Sequence, residues 1–288
     1  MAMLNGLIQL MRPHHYIKNG FIFLPLFFGL KGFDLALVQQ TVISFAGFSL
    51  VASAVYVMND FIDIRRDCAH PIKKHRPLAS GKVSIKNACM LGFGLVGFGL
   101  GIAHTQGVMA FFIMYICLNI AYSLKLKHVP IIDVFIIAIG FVIRLLVGAS
   151  ASQVQLSMWI VIMTFLLALF LAFSKRKGDL ANLNGQSQAR PVLDEYSQEF
   201  LSICMAIMGA VVIVAYIMYT TSATVIAYAH SNYVYTTGIF VVFGILRYLK
   251  ITFFDQTTGS PTKVLIHDIW LQLSILFWLL SFAILLYR

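Results

Sequence analysis

The sequence predicts an all-α membrane protein with nine transmembrane helices, and three observations lead there. Of its 288 residues, 60% are hydrophobic and 11% are charged, too little polar surface to cover a soluble globule of that size. Nine apolar segments approach the roughly 20 residues that a hydrocarbon core of about 30 Å demands of a helix. The Lys and Arg residues also collect in alternate connections, the pattern that fixes orientation in a membrane.

The segments fall near residues 17–33, 41–58, 86–104, 107–122, 131–150, 157–174, 200–220, 232–249 and 268–287. The first follows Met-Ala-Met-Leu-Asn-Gly, which lacks the charged stretch and cleavage site of a secretory signal, so this span is expected to stay in the protein. The second ends in an acidic stripe, and the third is preceded by a basic turn. The fifth opens at Asp133 and carries Arg144 in its interior. The sixth runs into Lys175-Arg176-Lys177, and the eighth contains Leu246-Arg247-Tyr248. Three polar connections, 59–85, 175–199 and 250–267, are where chemistry has room and are expected to cap a site. No internal repeat interrupts this pattern, and the chain reads as one polytopic domain over 1–288.

An N-terminus in the cytosol assigns 18 of the 21 Lys and Arg to the cytosolic side, leaves Lys31 and Arg288 outside, and keeps Arg144 within a span. All three polar loops then face the cytosol. The net charge of +10 is explained by this topology and by anionic lipid, so no nucleic-acid partner is implied. Cys68, Cys89, Cys117 and Cys204 stand singly, with no disulfide or zinc pattern. A transporter would bring several ionisable groups into the spans, whereas Arg144 is the only deep Lys or Arg.

The second span ends in Asn59-Asp60-x-x-Asp63-x-x-x-Asp67. On one continuous helix the three aspartates lie within roughly 60° of one another. Three like charges on one stripe repel, and a divalent cation resolves the conflict; hard carboxylate oxygens suit Mg²⁺ shared with substrate phosphates. The following turn supplies Lys73, Lys74, Arg76 and Lys82, which are suited to gripping phosphate, with Arg76 preferred. Arg144 either faces a cavity or reaches the far interface past Ser150. Asp133 is either a helix-dipole partner or a ligand. Tyr16 and Tyr122 fit an interfacial belt equally well. His14 and His15 point about 100° apart and form no metal pair.

The aspartate motif followed by Arg76-Pro-Leu-Ala-Ser-Gly81 resembles the UbiA superfamily of intramembrane prenyltransferases. That resemblance implies nine helices around a central cavity open to the cytosol, and a second aspartate-rich motif after the sixth helix. Here that second position reads Lys175-Arg176-Lys177-Gly-Asp179. The basic substitution resembles the decaprenyl-phosphate phosphoribosyltransferase branch, as do Arg12-Pro-x-x-Tyr16-x-Lys18-Asn19, Tyr122-Ser-Leu-Lys125-Leu-Lys127, Ile132-Asp133, Gly140-Phe-x-x-Arg144, and Gly259-x-Pro261 with Asp268. Where the branch usually shows an acidic residue such as Glu after Lys-Arg, this chain has Asp179, one methylene shorter.

The resemblance implies a Mg²⁺-dependent enzyme of a bacterial cytoplasmic membrane, moving 5-phosphoribose from phosphoribosyl diphosphate to a polyprenyl phosphate with inversion at C1. Asp60, Asp63 and Asp67 would hold the metal on the diphosphate, with Asn59, Arg76 and Lys82 close by. Lys18, Lys125, Lys127, Lys175 and Arg176 would serve the remaining phosphates, with Tyr122, Asp133, Arg144 and Asp179 lining the substrates. The competing expectation is an aromatic-acceptor prenyltransferase, which would use a second carboxylate cluster.

Overall fold

A computed structural model describes residues 2–29, 31–69, 73–181, 191–254 and 261–286. In chain order the elements are α1 (Ala2–Met11), the 3₁₀ helix η1 (Pro13–Phe23), α2 (Leu24–Phe28), α3 (Leu35–Ile62), α4 (Ile64–Ala69), η2 (Lys73–His75), α5 (Ile85–Thr105) and α6 (Met109–Leu124). Then come η3 (Leu126–His128), α7 (Ile132–Ala151), α8 (Met158–Ala181), η4 (Pro191–Glu195), α9 (Gln198–Thr220), α10 (Ala223–Ala229), η5 (Val234–Thr237), α11 (Gly238–Phe254), α12 (Pro261–His267) and α13 (Ile269–Leu286). No strand occurs among the described residues.

Among the described residues six helices are long and apolar enough to cross a membrane: α3, α5, α7, α8, α9, and η5 continued by α11. A seventh crossing results if α12 and α13, bent by 84° at Asp268, count as one. This makes the chain a multi-pass membrane protein. At 16 residues α6 is shorter, about 24 Å at 1.5 Å per residue.

The first expected span is not a single α-helix. Pro13 opens a 3₁₀ segment of 11 residues, and Pro25 sits in the first turn of α2, where its missing N–H costs nothing. At about 2.0 Å per 3₁₀ residue and 1.5 Å per α residue, η1 and α2 together reach about 30 Å.

Helices also run further into the polar connections than the sequence pattern suggests. The 28 residues of α3 make about 42 Å, more than a hydrocarbon core of about 30 Å absorbs. Likewise α8 continues through Lys175-Arg176-Lys177 to Ala181, and α11 continues to Phe254. Side-chain caps begin several helices: Asp34 accepts from Ala36 N at 3.1 Å and Leu37 N at 3.2 Å, Ser84 from Asn87 N at 3.2 Å, and Ser197 from Phe200 N at 3.0 Å.

The chain forms two compact units. The first comprises residues 1–136 and 140–156, the second residues 137–139 and 157–288. A core of Ile22, Phe48, Val51, Phe112, Tyr115, Ile143 and Val147 joins η1, α3, α6 and α7 in the first. In the second, the Ser174 hydroxyl meets Tyr248 Oη at 3.0 Å, and Trp278 Nε1 donates to Tyr216 Oη at 2.7 Å. Asp268, in the break before α13, accepts from Arg247 Nη2 at 2.6 Å and from Leu271 N at 2.8 Å, pinning the bend.

Candidate active site

The site is built on α3. Ser49, Ser53, Tyr56 and Asp60 recur at spacings of four, three and four, which is one helical face. Along that face η1 runs antiparallel. Arg12 Nη2 donates to Asp60 Oδ1 at 2.5 Å, and Asn19 Nδ2 donates to Ser49 Oγ at 2.9 Å. Between them Ser53 Oγ donates to Met11 O at 2.9 Å, which engages its proton, so Tyr16 Oη, 2.8 Å away, donates to Ser53. The register holds because three 3₁₀ residues and four α residues each rise about 6 Å.

Arg12 has φ 54° and ψ 58°, left-handed backbone that costs a non-glycine residue roughly 1 kcal/mol or more. The bond to Asp60 and a position 5.2 Å above the Tyr56 ring hold it there. Arg76 joins the same carboxylate: its Nη1 lies 3.0 Å from Asp60 Oδ1 and 2.7 Å from Asp67 Oδ2. A single guanidinium nitrogen thus bridges Asp60 and Asp67, both buried.

Asp63 behaves differently. It ends α3 with φ −92° and ψ 4°, so the aspartates are not on one uninterrupted helix, and it accepts from Lys127 Nζ at 2.7 Å. Asn59 Oδ1 accepts from the Ser123 hydroxyl of α6. The motif is therefore tied to α1–η1 through Arg12, to the η2 turn through Arg76, and to α6–η3 through Ser123 and Lys127.

At the other end of the ladder lies Arg144. Its Nε donates to Asn19 Oδ1 at 2.8 Å, Nη1 to Gly140 O at 2.7 Å and Nη2 to Tyr115 Oη at 3.2 Å. Phe48, Tyr115 and Phe141 present rings 5.1 to 5.2 Å from the guanidinium carbon. Arg144 is buried among these groups and does not reach past Ser150. Beside this junction α7 touches η1 through Gly148, where a Cβ would lie 2.0 Å from Ile22 O.

The second unit holds its own cations. Arg176 is fully buried in α8 and donates to Asp179 Oδ2 at 3.2 Å. Lys177 Nζ lies 3.3 Å from the Phe253 ring centroid and donates to Ser202 Oγ at 2.8 Å. Lys175 is half-buried on the same helix. In the first unit Asp133 is buried in the opening turn of α7 and Tyr122 is half-buried on α6. Lys82 and Lys125 are exposed and touch none of the carboxylates. His70, Gly259 and Arg190 lie outside the described residues.

Of the residues that sequence reading named, Asp60, Asp67 and Arg76 come together, Asp63 pairs with Lys127, and Asn59 bonds to Ser123. That reading passed over Arg12, Tyr56, Ser53, Ser49 and Ser123 as site groups. The four-three-four recurrence of polar residues on an otherwise apolar span was the available signal for three of them.

Among the described residues no three His, Cys, Asp or Glu side chains converge as a metal-binding group. The donor chemistry nevertheless suits Mg²⁺. Each aspartate uses only one carboxylate oxygen in its ion pairs, leaving the other without a hydrogen bond among the described residues. A positive nitrogen already stands between Asp60 and Asp67, where hard oxygens accept a cation.

A multi-pass helical membrane protein with three carboxylates and three paired cations where α3 gives way to α4 has the equipment of a membrane enzyme. The UbiA prenyltransferase family matches residues 21–265, and the chain belongs to that family. The protein named decaprenyl-phosphate phosphoribosyltransferase of Mycolicibacterium smegmatis is 31% identical over 96% of this chain and 91% of its own length. The Corynebacterium glutamicum protein of the same name is 26% identical over 98% of this chain and 87% of its own. Among solved structures, a UbiA homologue of Archaeoglobus fulgidus bound to GPP and Mg²⁺ matches with TM-score 0.73 at 17% identity, covering 98% of this chain and all of that one. The fold is therefore UbiA-like, as the sequence motif implied.

Proposed function

We propose that this chain transfers 5-phosphoribose from phosphoribosyl diphosphate to a polyprenyl phosphate of the decaprenyl class, releasing diphosphate with inversion at C1. The observation that carries the reading is a charge pattern. Acidic Asp60, Asp63 and Asp67 in the first unit are matched by basic Lys175-Arg176-Lys177, not a second acidic motif, in the second. The aspartates suit a metal-bound diphosphate, and the basic run suits partners that bring further phosphate. Two relatives matching nearly the full chain bear the corresponding name.

Mg²⁺ held by Asp60, Asp63 and Asp67 would offset the charge that develops on the leaving diphosphate. The residues do the rest. Arg76, Arg12 and Lys127 exchange carboxylate oxygens for phosphate oxygens as the donor binds. Asn59, fixed by Ser123, keeps the motif in register. Lys82 and Lys125 meet incoming phosphate at the surface, and Lys175 seats the lipid phosphate, with the buried Arg176, paired with Asp179, next to it on the same helix. Tyr122, Asp133 and Arg144 position the groups around the ribose. The acceptor oxygen is already anionic, so no strong base is required.

In this reading the chain crosses a bacterial cytoplasmic membrane nine times, counting η1 with α2, α6, and α12 with α13, and its N-terminus and polar connections face the cytosol. The test supplies radiolabelled phosphoribosyl diphosphate, decaprenyl phosphate and Mg²⁺ to purified protein and looks for a labelled lipid. A second reading, prenyl transfer to an aromatic acceptor, is favoured by the family's name and by a neighbour solved with GPP. With a polyprenyl diphosphate and 4-hydroxybenzoate supplied in a parallel reaction, prenylated 4-hydroxybenzoate without labelled lipid would install that reading instead.

A further inference from the structure

We propose that Tyr56 selects the donor: its phenol donates a hydrogen bond to the C2 oxygen of the pentose and so favours a pentosyl over a prenyl diphosphate at the aspartates. The proposal deepens the function above and rests on it for the identity of the donor.

The face of α3 that meets η1 carries four polar groups, and three are engaged. Ser49 accepts from Asn19, Ser53 from Tyr16 and Asp60 from Arg12. Tyr56, between Ser53 and Asp60, meets η1 only through its ring. The Arg12 guanidinium carbon lies 5.2 Å from the ring centroid, and the His15 ring 5.3 Å from it. The Tyr56 hydroxyl makes no hydrogen bond among the described residues. Nor is it sealed off, since the residue is half-buried and its oxygen keeps accessible surface. A phenol in a protein interior ordinarily has a partner, so an open one beside a ligand site marks a group whose partner arrives with the ligand.

Position and surroundings define that partner. Tyr56 stands one turn, about 6 Å, from Asp60 on the side away from Asp63 and Asp67. The aspartates face the diphosphate, so Tyr56 meets the group that the diphosphate carries. The ionisable groups acting on its hydroxyl are Tyr115, Arg144, Arg12 and Tyr16, from α6, α7 and η1. Both arginines offer only N–H groups, the Tyr115 oxygen already accepts from Arg144, and the Tyr16 proton goes to Ser53. The missing partner is an acceptor oxygen.

A prenyl chain has no oxygen at this position, and its methylenes would strip the phenol of water without replacing the bond. A pentose presents two oxygens around C1. The ring oxygen shares positive charge as the bond from C1 to diphosphate breaks and accepts poorly, which leaves the oxygen on C2. A site built on such a bond rejects the analogue that lacks it.

The experiment measures calorimetric binding of phosphoribosyl diphosphate, its 2-deoxy analogue and geranyl diphosphate to the full chain in detergent with Mg²⁺. The wild type should bind the 2-deoxy analogue about tenfold more weakly than phosphoribosyl diphosphate. Tyr56→Phe keeps the ring between Arg12 and His15. It should lose about tenfold in affinity for phosphoribosyl diphosphate, less than about threefold for the 2-deoxy analogue, and nothing for geranyl diphosphate. In the transfer assay its KM for phosphoribosyl diphosphate should rise about tenfold, with kcat changed less than about threefold. A wild type that binds both pentosyl ligands equally, or neither, overturns the proposal without any variant. Unchanged affinities in Tyr56→Phe also overturn it, as does a loss shared with the 2-deoxy analogue or with geranyl diphosphate, which would put the hydroxyl on the diphosphate. If pentosyl binding depends on Tyr56 and C2 but no phosphoribosyl lipid forms, donor selection stands and the transfer reaction falls.

Discussion

Gly148→Ala tests whether the contact between α7 and η1 sets the geometry of the site. A Cβ at Gly148 would lie 2.0 Å from Ile22 O, 2.7 Å from its carbonyl carbon and 3.0 Å from its Cα. These are backbone atoms, so no side chain can rotate away. Carbon–oxygen contacts begin near about 3.3 Å, so α7 and η1 must separate by about 1.3 Å. The Arg144–Asn19 bond, now 2.8 Å, would open to about 4 Å and cease to be one. Overpacking of this kind costs about 1–3 kcal/mol, or about 2–12 °C in melting temperature at a few degrees per kcal/mol. Misplacement of about 1 Å in a catalytic arrangement can cost about a hundredfold in rate. Gly20→Ala, on the same 3₁₀ helix, has nothing within 4 Å of the new methyl and serves as control. Melting curves and phosphoribosyl transfer should separate the two variants. If Gly148→Ala melted and turned over like Gly20→Ala, the close approach would play no part in holding the ladder.

Asp60→Asn and Asp63→Asn should each lower turnover by about a hundredfold or more at saturating Mg²⁺ while leaving the protein folded, and wild-type turnover would dismiss the metal assignment. Arg12→Lys cannot keep the fork between Asp60 and the Tyr56 ring; kcat/KM for phosphoribosyl diphosphate should fall about tenfold or more, and no change would show Arg12 to be only a structural strut. Asp268→Ala removes the acceptor of Arg247 and of Leu271 N, costing about 1–2 kcal/mol and about 2–8 °C, which thermal unfolding of the purified protein would detect.

The aspartates and Arg76 were legible in the sequence because local spacing carries the information: seven residues from Asp60 to Asp67 span two helical turns, and the turn bearing Arg76 follows at once. Arg12 was not, because 48 residues separate it from Asp60 and only the fold closes that distance. The break at Asp63 escaped because helical hydrogen bonds continue on both sides of it, Asp63 N to Asn59 O and Asp67 N to Asp63 O, so propensity gives no warning. The first span misled for another reason. Composition reports that residues 17–33 are apolar, but says nothing about pitch, which is 3₁₀ as far as Phe23 and α from Leu24 to Phe28.

That pitch has a mechanical meaning. Were the 11 residues of η1 wound as an α-helix, the segment would shorten by about 0.5 Å per residue, some 5.5 Å in all. With Asn19 anchored on Ser49, the seven residues back to Arg12 would leave it about 3.5 Å short of Asp60. The tighter winding is a spacer that fixes how far the carboxylates stand from the caged arginine, a distance that substitutions altering no charged residue can change. An inserted residue in η1 would miscalibrate it as surely as the loss of Arg12.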